Sequence, residues 1–377
     1  MTRSLFTPIV PEAKMNRRFR DIRDATAFTA ARRLMDEIFA DFPDVDHNFV
    51  REFQTGGFSP RVLELAVFAY LKEQGYHLDR TSPTPDFVVT GDAPVAIEVT
   101  TSNPAEGADP DDVDPSVGLQ RLIPDDVPTA AREFVFQAGK ALRRKLLKRD
   151  AAGRAYWEQP HVAGVPFVTA VETFHTANAL SRPVGLLAEY LYGRRDVVAF
   201  DGDGNLHLTA ETITDHRHKG KTIPSGLFSL PEAAHLAGVL FTNNATVSKF
   251  NRIGTERGYG APGIAMVRFG SLPDPDPNAV EPQPFHYLVG ADETDYRETF
   301  SEGLHLLHNP WAKNPLAPGT LRGITEHQML DDGQVLTTST RLDPFASVTM
   351  IFQGASAATE ARRASAISSA SDPADPS

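Results

Sequence analysis

The sequence of 377 residues contains no cysteine. This absence excludes disulfide bonds and cysteine-ligated zinc, and it is typical of proteins in a reducing compartment. The spacing of the histidines matches no closed zinc site either. The chain lacks any apolar run of about eighteen residues, so we expect no membrane span. Its first residues also lack the charged and then apolar layout of a secretory signal. We therefore expect a soluble, cytoplasmic protein.

Positive charge is scarce as well. The chain has 37 Lys and Arg against 49 Asp and Glu, a net charge of −12. Proteins that coat nucleic acid usually have a basic balance or a basic face, so this composition argues against that class unless charge is concentrated locally. Residues 140–154 meet this condition, because they hold seven basic side chains and the single acid Asp150. Internal repeats and a phosphate-binding glycine loop are both missing.

Two carboxylates inside apolar strands are the strongest functional signal of the sequence. Asp86 opens one strand and Glu98 lies within the next, and the turn at residues 91–94 joins the two strands. Side chains alternate along a strand, so a matching register makes Asp86 and Glu98 converge on one face. A buried, unpaired carboxylate is costly, which favours a bound partner. The two carboxylates and the Val99 carbonyl would form a hard-oxygen site suited to Mg²⁺ or Mn²⁺.

The elements around this hairpin are predicted from capping signals and periodicity. Ser59-Pro60 and Gly75 bound a helix over about 59–74, on which Glu64 lies beside the apolar stripe. A short strand follows at 76–81, then the hairpin, a helix over 128–149 and a buried strand at 165–172. The predicted order is therefore α, β, β, β, α, β.

This order, with Pro85-Asp86 at one strand start and Glu98 on the next strand, resembles the PD-(D/E)XK, or restriction-endonuclease-like, nuclease superfamily. Its motif is Pro-Asp, a spacer and then Asp/Glu-x-Lys, but Thr100 stands here at the lysine position. The resemblance implies an α/β fold with a mixed central sheet and metal-dependent hydrolysis of phosphodiester bonds. Several branches of the superfamily carry the cation on the following helix, where Lys140, Arg144 and Lys145 are the candidates.

The chain also resembles an uncharacterised bacterial branch of this superfamily that has a lysine where Lys145 stands. The resemblance covers most of residues 46–318. It implies that Asp86, Glu98 and Val99 hold the metal ion, that Glu64 holds a second ion or orients water, and that Lys145 stabilises charge on the phosphate. The partner would be nucleic acid, DNA before RNA, and a homodimer is compatible with the resemblance. The candidates for nucleic-acid contact are Lys140, Arg144, Lys148 and Arg149. On a helical wheel Arg144 and Lys140 point away from Lys145, so we expect neither to replace it.

Two other interpretations stay open. The loss of lysine at position 100 favours a catalytically lapsed nuclease fold that binds nucleic acid or a protein partner. In the other, the carboxylates form internal salt bridges in an unrelated protein. Cleavage that depends on Mg²⁺ separates the first interpretation from the second, and nucleic-acid binding separates both from the third.

The organisation follows from composition and pattern. We expect an N-terminal helical segment at 1–45, a nuclease-like core at 46–180 and a C-terminal α/β extension at 181–353 that continues the same sheet. Residues 354–377 are rich in Ala and Ser and are predicted to form a disordered tail. The acidic stretch 106–114 is predicted to be a flexible insertion.

Overall fold

The structure is a computed structural model. It describes residues 4–79, 81–102, 126–174, 176, 179, 181–276, 279, 281–291, 296–344 and 346–370. The predicted insertion at 106–114 lies outside these residues. The helices are α1 Arg17–Asp24, α2 Thr29–Ala40, α3 Phe49–Phe53, α4 Phe58–Glu73, α5 Val127–Leu147, α6 Val184–Tyr192, α7 Val247–Glu256 and α8 Ala357–Ala370. The strands are β1 Leu78–Asp79, β2 Phe87–Val89, β3 Val95–Ser102, β4 Phe167–Thr173, β5 Arg194–Phe200, β6 Leu206–Thr212, β7 Asp215–His218, β8 Lys221–Pro224, β9 Leu236–Thr242, β10 Ile264–Leu272, β11 Gln283–Leu288, β12 Leu304–His308, β13 Thr325–Met329, β14 Val335–Thr338 and β15 Ala346–Gln353.

A mixed central sheet organises the described part of the chain. Its strand order is β1-β2-β3-β4-β9-β12-β13-β14. The pairs β3–β4, β4–β9 and β12–β13 are parallel, and the other neighbouring pairs are antiparallel. The fold is therefore mixed α/β, as expected, and the predicted order of elements is present as α4, β1, β2, β3, α5, β4. The second half of the chain continues this sheet through β9 and β12.

Helices cover both faces of the sheet, which explains why all eight residues of β3 are buried. Phe87, Ile97 and Val99 face the side where α1 to α4 and α7 pack. Val88 and Ala96 face the opposite side, where α5 and α6 pack. Glu98 alternates with Ile97 and Val99, so it projects toward the α5 side.

The helices that flank the candidate site begin and end at recognisable signals. α4 begins one residue before the predicted start and ends before Gly75, whose φ of 72° is a conformation that glycine adopts at little cost. α5 begins at an Asp126 cap, whose side chain accepts a hydrogen bond from the Thr129 backbone. Local sequence thus defines both helices from which polar side chains reach the sheet.

The C-terminal segment differs from the prediction. Residues 354–377 were expected to be disordered, but residues 357–370 form α8. Ala357 and Ala361 are buried, one turn apart, on the face that packs on the β11-β10-β15 sheet. Alanine has the highest helix propensity, so the composition that suggested disorder also suits a helix with a narrow contact face. Among the described residues, no helix has the length and apolar character needed to cross a bilayer.

Candidate functional site

The β2–β3 hairpin brings Asp86 and Glu98 together. Phe87 pairs with Ile97 and Val88 with Ala96, so Asp86 and Glu98 form the next pair along the ladder. The Asp86 backbone N–H donates to Glu98 Oε2 at 3.3 Å, and the Val99 N–H donates to Asp86 Oδ2 at 2.7 Å. Each carboxylate is therefore held by the backbone of the opposite strand.

Glu98 is 3% exposed and forms an ion pair with a lysine of the following helix. Lys145 Nζ lies 2.5 Å from Glu98 Oε1. Burial raises the pKa of Glu98 above its ordinary value, and the negative charge of Asp86 acts in the same direction. Lys145 opposes both effects. The structure therefore brings together Asp86, Glu98 and Lys145, the three residues predicted to form the centre of the site.

Arg144 also reaches β3, at Thr100. Its guanidinium donates to the Thr100 hydroxyl at 3.0 Å and to the Thr101 carbonyl at 3.3 Å. The helical wheel predicted that Arg144 points away from Lys145. That direction does not keep Arg144 away from β3, because the long arginine side chain spans the gap between α5 and the sheet. α5 thus delivers two cations to neighbouring positions of one strand.

Sequence reasoning did not find Tyr156. Its ring stacks on Phe167 with centroids 5.8 Å apart, and Lys145 Nζ lies 5.7 Å from the ring centroid. The buried hydroxyl lies beside the Glu98 carboxylate, in an orientation that falls short of a regular hydrogen bond. Glu98 lies close enough that its charge adds to the effect of burial and raises the pKa of Tyr156 further. No spacing in the sequence could have indicated this contact, because a turn brings Tyr156 to β3.

Glu64 lies on α4, which packs on the opposite face of the sheet from α5. Arg61 contacts Glu64 and also lies 2.5 Å from Glu52. Glu64 and Asp86 line one small cavity of about 50 Å³, together with Arg61 and Asp46. The lining of that cavity does not include Glu98. The structure therefore brings Glu64 close to Asp86 but separates it from the Glu98–Lys145 pair.

The remaining basic candidates lie along α5 and just beyond its end. Lys140, Lys148 and Arg149 are exposed. Lys148 Nζ lies 5.4 Å from the ring centroid of Tyr156, so this lysine stands next to the Glu98–Lys145 pair. Arg149 donates to the carbonyls of Leu146 and Lys148, which holds the end of the helix. The basic strip therefore adjoins the carboxylates.

The donor set of this site fits a hard divalent cation in part. Asp86 and Glu98 supply oxygen ligands of the kind that Mg²⁺ and Mn²⁺ prefer, and their mutual repulsion is the type of interaction that a cation relieves. Among the described residues, no group of three or more His, Cys, Asp or Glu side chains has the arrangement of a metal site. Any ion bound here would therefore need ligands beyond the two carboxylates, from backbone, water or substrate.

No model of a known protein family, no curated protein and no solved structure matches this chain. Support for a function therefore comes from the geometry of the described residues.

Proposed function

We propose that the protein is a divalent-metal-dependent nuclease of the PD-(D/E)XK type. The observation that carries the proposal is the pairing of Asp86 and Glu98 across a hairpin, with Lys145 reaching them from the following helix. Three features that would be independent in an unrelated protein occur here together: two carboxylates on facing strands, a cation on the next helix and the αβββαβ order of elements.

The roles of the residues follow from their positions. Asp86 and Glu98 would hold Mg²⁺ or Mn²⁺, which supplies positive charge to polarise a phosphoryl oxygen and to lower the pKa of bound water. Backbone N–H groups orient both carboxylates before any ion binds. Lys145 would leave Glu98 and stabilise the charge that develops on the phosphate. Arg144 places a second positive charge at Thr100, where the motif has its lysine.

Glu64 would act beside this centre. It shares a cavity with Asp86, which is the position from which a carboxylate could orient water or contribute to a second ion. In the present arrangement Arg61 pairs with both Glu64 and Glu52. Loss of Glu64 is therefore expected to matter less than loss of Glu98.

The second candidate function is a nuclease fold without catalysis. Two contacts favour it: the ion pair between Lys145 and Glu98, and the bond from Arg144 to Thr100. They satisfy the polar groups of the site from within the protein, as a structural network would. A cleavage assay separates the two candidates.

Cleavage of plasmid, single-stranded DNA and RNA with Mg²⁺ or Mn²⁺ tests the proposal. We expect Lys145→Ala to lose cleavage by roughly a hundredfold or more while it still binds nucleic acid, because one preorganised electrostatic contact is removed. Lys148→Ala is the matched control, a nearby exposed lysine on the same segment. Loss of Lys148 should mainly weaken nucleic-acid binding and make that binding less dependent on salt concentration. Undiminished cleavage by Lys145→Ala would refute the role of this lysine. No cleavage of any substrate by the wild type would favour the lapsed fold.

A further inference from the structure

A strip of cations and aromatic rings begins next to the candidate site and ends after β12. The Arg149 guanidinium lies 5.7 Å from the ring centroid of Trp157. Trp157 stacks on His235, with centroids 5.3 Å apart and planes inclined by 7°. His235 Nε2 lies 3.4 Å from Lys313 Nζ, two residues beyond Trp311. We call these five residues the aromatic strip.

Trp311 is exposed although its backbone is firmly held. It is 45% exposed, whereas Trp157, the other tryptophan of the chain, is 9% exposed. Its backbone N–H donates to Asn309 Oδ1 at 2.9 Å. Asn309 is itself 2% exposed and donates to the carbonyls of Ala233 and Leu236 at 3.2 and 2.8 Å. The indole is thus presented to solvent on a turn anchored by a buried side chain.

The same anchoring fixes the cation next to it. The Lys313 N–H donates to the Ala234 carbonyl at 2.8 Å, in the segment that carries His235. At the other end the strip joins the candidate site, because Trp157 directly follows Tyr156, and Lys145 Nζ lies 5.7 Å from the Tyr156 ring. One exposed apolar side chain by itself is ordinary on a protein surface. An exposed indole on an anchored turn, two residues from Lys313 in a row of rings and cations that leads to the candidate site, suits a partner that offers both flat rings and negative charge.

We propose that the aromatic strip binds an unpaired nucleic-acid strand, with a base stacked on Trp311 and phosphates at Arg149 and Lys313. Bases in a duplex are already stacked and paired, so they reach such a ring only at the cost of unstacking. Single strands expose their bases, and stacking on aromatic side chains with cations along the backbone is the usual way to bind them. The inference rests on the proposed function and extends it by naming an unpaired strand as the preferred substrate.

The test measures binding of labelled dT and rU oligonucleotides of about fifteen nucleotides and of a duplex of similar length. Trp311→Ala should weaken binding of the single strands roughly tenfold, while duplex affinity changes less than about twofold. Phe200→Ala is the matched control, because Phe200 is also aromatic and 46% exposed but lies on β5, and it should bind as the wild type does. Trp311→Tyr keeps a stacking ring and should retain most of the affinity. The dT and rU oligonucleotides test a DNA strand and an RNA strand separately.

Tryptophan fluorescence gives an independent reading, since the chain has two tryptophans and one is buried. Single strands should quench the emission of the wild type, and this quenching should disappear in Trp311→Ala. The inference would be overturned if Trp311→Ala lost as much affinity for the duplex as for the single strands. An equal loss of single-strand affinity in Phe200→Ala would also overturn it. So would a loss in Trp311→Tyr as large as in Trp311→Ala, or no binding of either oligonucleotide by the wild type. Binding with the expected pattern but no cleavage would uphold the strip and refute the nuclease.

Discussion

Glu98 is subject to opposing electrostatic effects. Burial and the charge of Asp86 raise its pKa, whereas Lys145 and the Tyr156 hydroxyl lower it. A carboxylate in such a place is stable as an anion only while a cation or a donor stays near it. The proposed mechanism moves Lys145 toward the phosphate. The Tyr156 hydroxyl and the Asp86 backbone N–H would then remain beside Glu98.

Tyr156→Phe tests this role of the hydroxyl. The ring and its stacking on Phe167 are kept, so the fold should be intact. We expect Mn²⁺ affinity and kcat to fall roughly tenfold, because groups that orient metal ligands typically contribute this much. KM for nucleic acid should stay unchanged. Calorimetric titration with Mn²⁺ and steady-state kinetics measure these quantities.

Tyr190→Phe provides the control for that substitution. Tyr190 is 1% exposed, and its hydroxyl fills the space that a side chain at Gly139 would occupy, nearly two turns of α5 before Lys145. The Tyr190→Phe variant also loses a hydroxyl group from a buried ring, and it should leave Mn²⁺ binding and kcat unaltered. If both variants lost Mn²⁺ affinity and kcat to the same extent, the effect of Tyr156→Phe would come from altered packing and not from the hydroxyl beside Glu98.

For single residues, the sequence predicted the positions that follow from the alternation of side chains along a strand. It missed the positions that depend on tertiary contacts. Alternation was sufficient to place Asp86 and Glu98 on one face, because strand periodicity is strict. Tyr156 was missed because its position depends on the turn before it. In that turn Asp150 accepts hydrogen bonds from the backbone of Ala152 and Arg154. Nothing in the local sequence indicates which strand such a turn approaches.

Among the elements, α5 and α8 show what sequence patterns can and cannot predict. The position of α5 was predicted to within two residues, from its periodicity and its place after the hairpin. The reach of Arg144 to Thr100 was not, because a helical wheel gives direction and ignores side-chain length. α8 was read as disordered because composition alone cannot tell whether alanines find a surface to pack on.

The strands β12, β13 and β14 carry a row of polar side chains that gives a pH-dependent prediction. His305 Nδ1 lies 3.1 Å from His327 Nε2, and His327 Nδ1 lies 2.9 Å from Thr337 Oγ1. Burial lowers the pKa of His305 to about 4 and that of His327 to about 3. The unfolded chain therefore takes up protons first as the pH falls below about 6.5. Stability should decrease from about pH 6.5 toward pH 4.

Urea unfolding at a series of pH values measures this effect. His327→Gln removes one titrating group and keeps a polar side chain, so the decrease between pH 6.5 and pH 4 should be smaller than in the wild type. His207→Gln is the control, because the His207 side chain is 61% exposed, and it should reproduce the wild-type profile. Parallel profiles for all three proteins would show that the buried histidines do not determine the acid sensitivity.

At the scale of the whole molecule, one sheet joins the two segments that were predicted from the sequence at 46–180 and 181–353. β4 pairs with β9, and β9 with β12, so the second half supports the strands of the candidate site directly. The net charge of −12 is compatible with nucleic-acid binding only through a local concentration of positive charge. The basic end of α5 and the aromatic strip supply this concentration next to Asp86 and Glu98.

The proposed catalysis depends on a divalent cation bound by Asp86 and Glu98. Calorimetric titration of Mn²⁺ into the wild type and into Asp86→Asn tests it most directly. Asparagine can still accept the Val99 N–H, so the hairpin should persist, and it removes the repulsion with Glu98. We predict binding to the wild type and affinity weaker by roughly tenfold or more in Asp86→Asn. Equal binding by both proteins, or no binding by the wild type, would contradict the account.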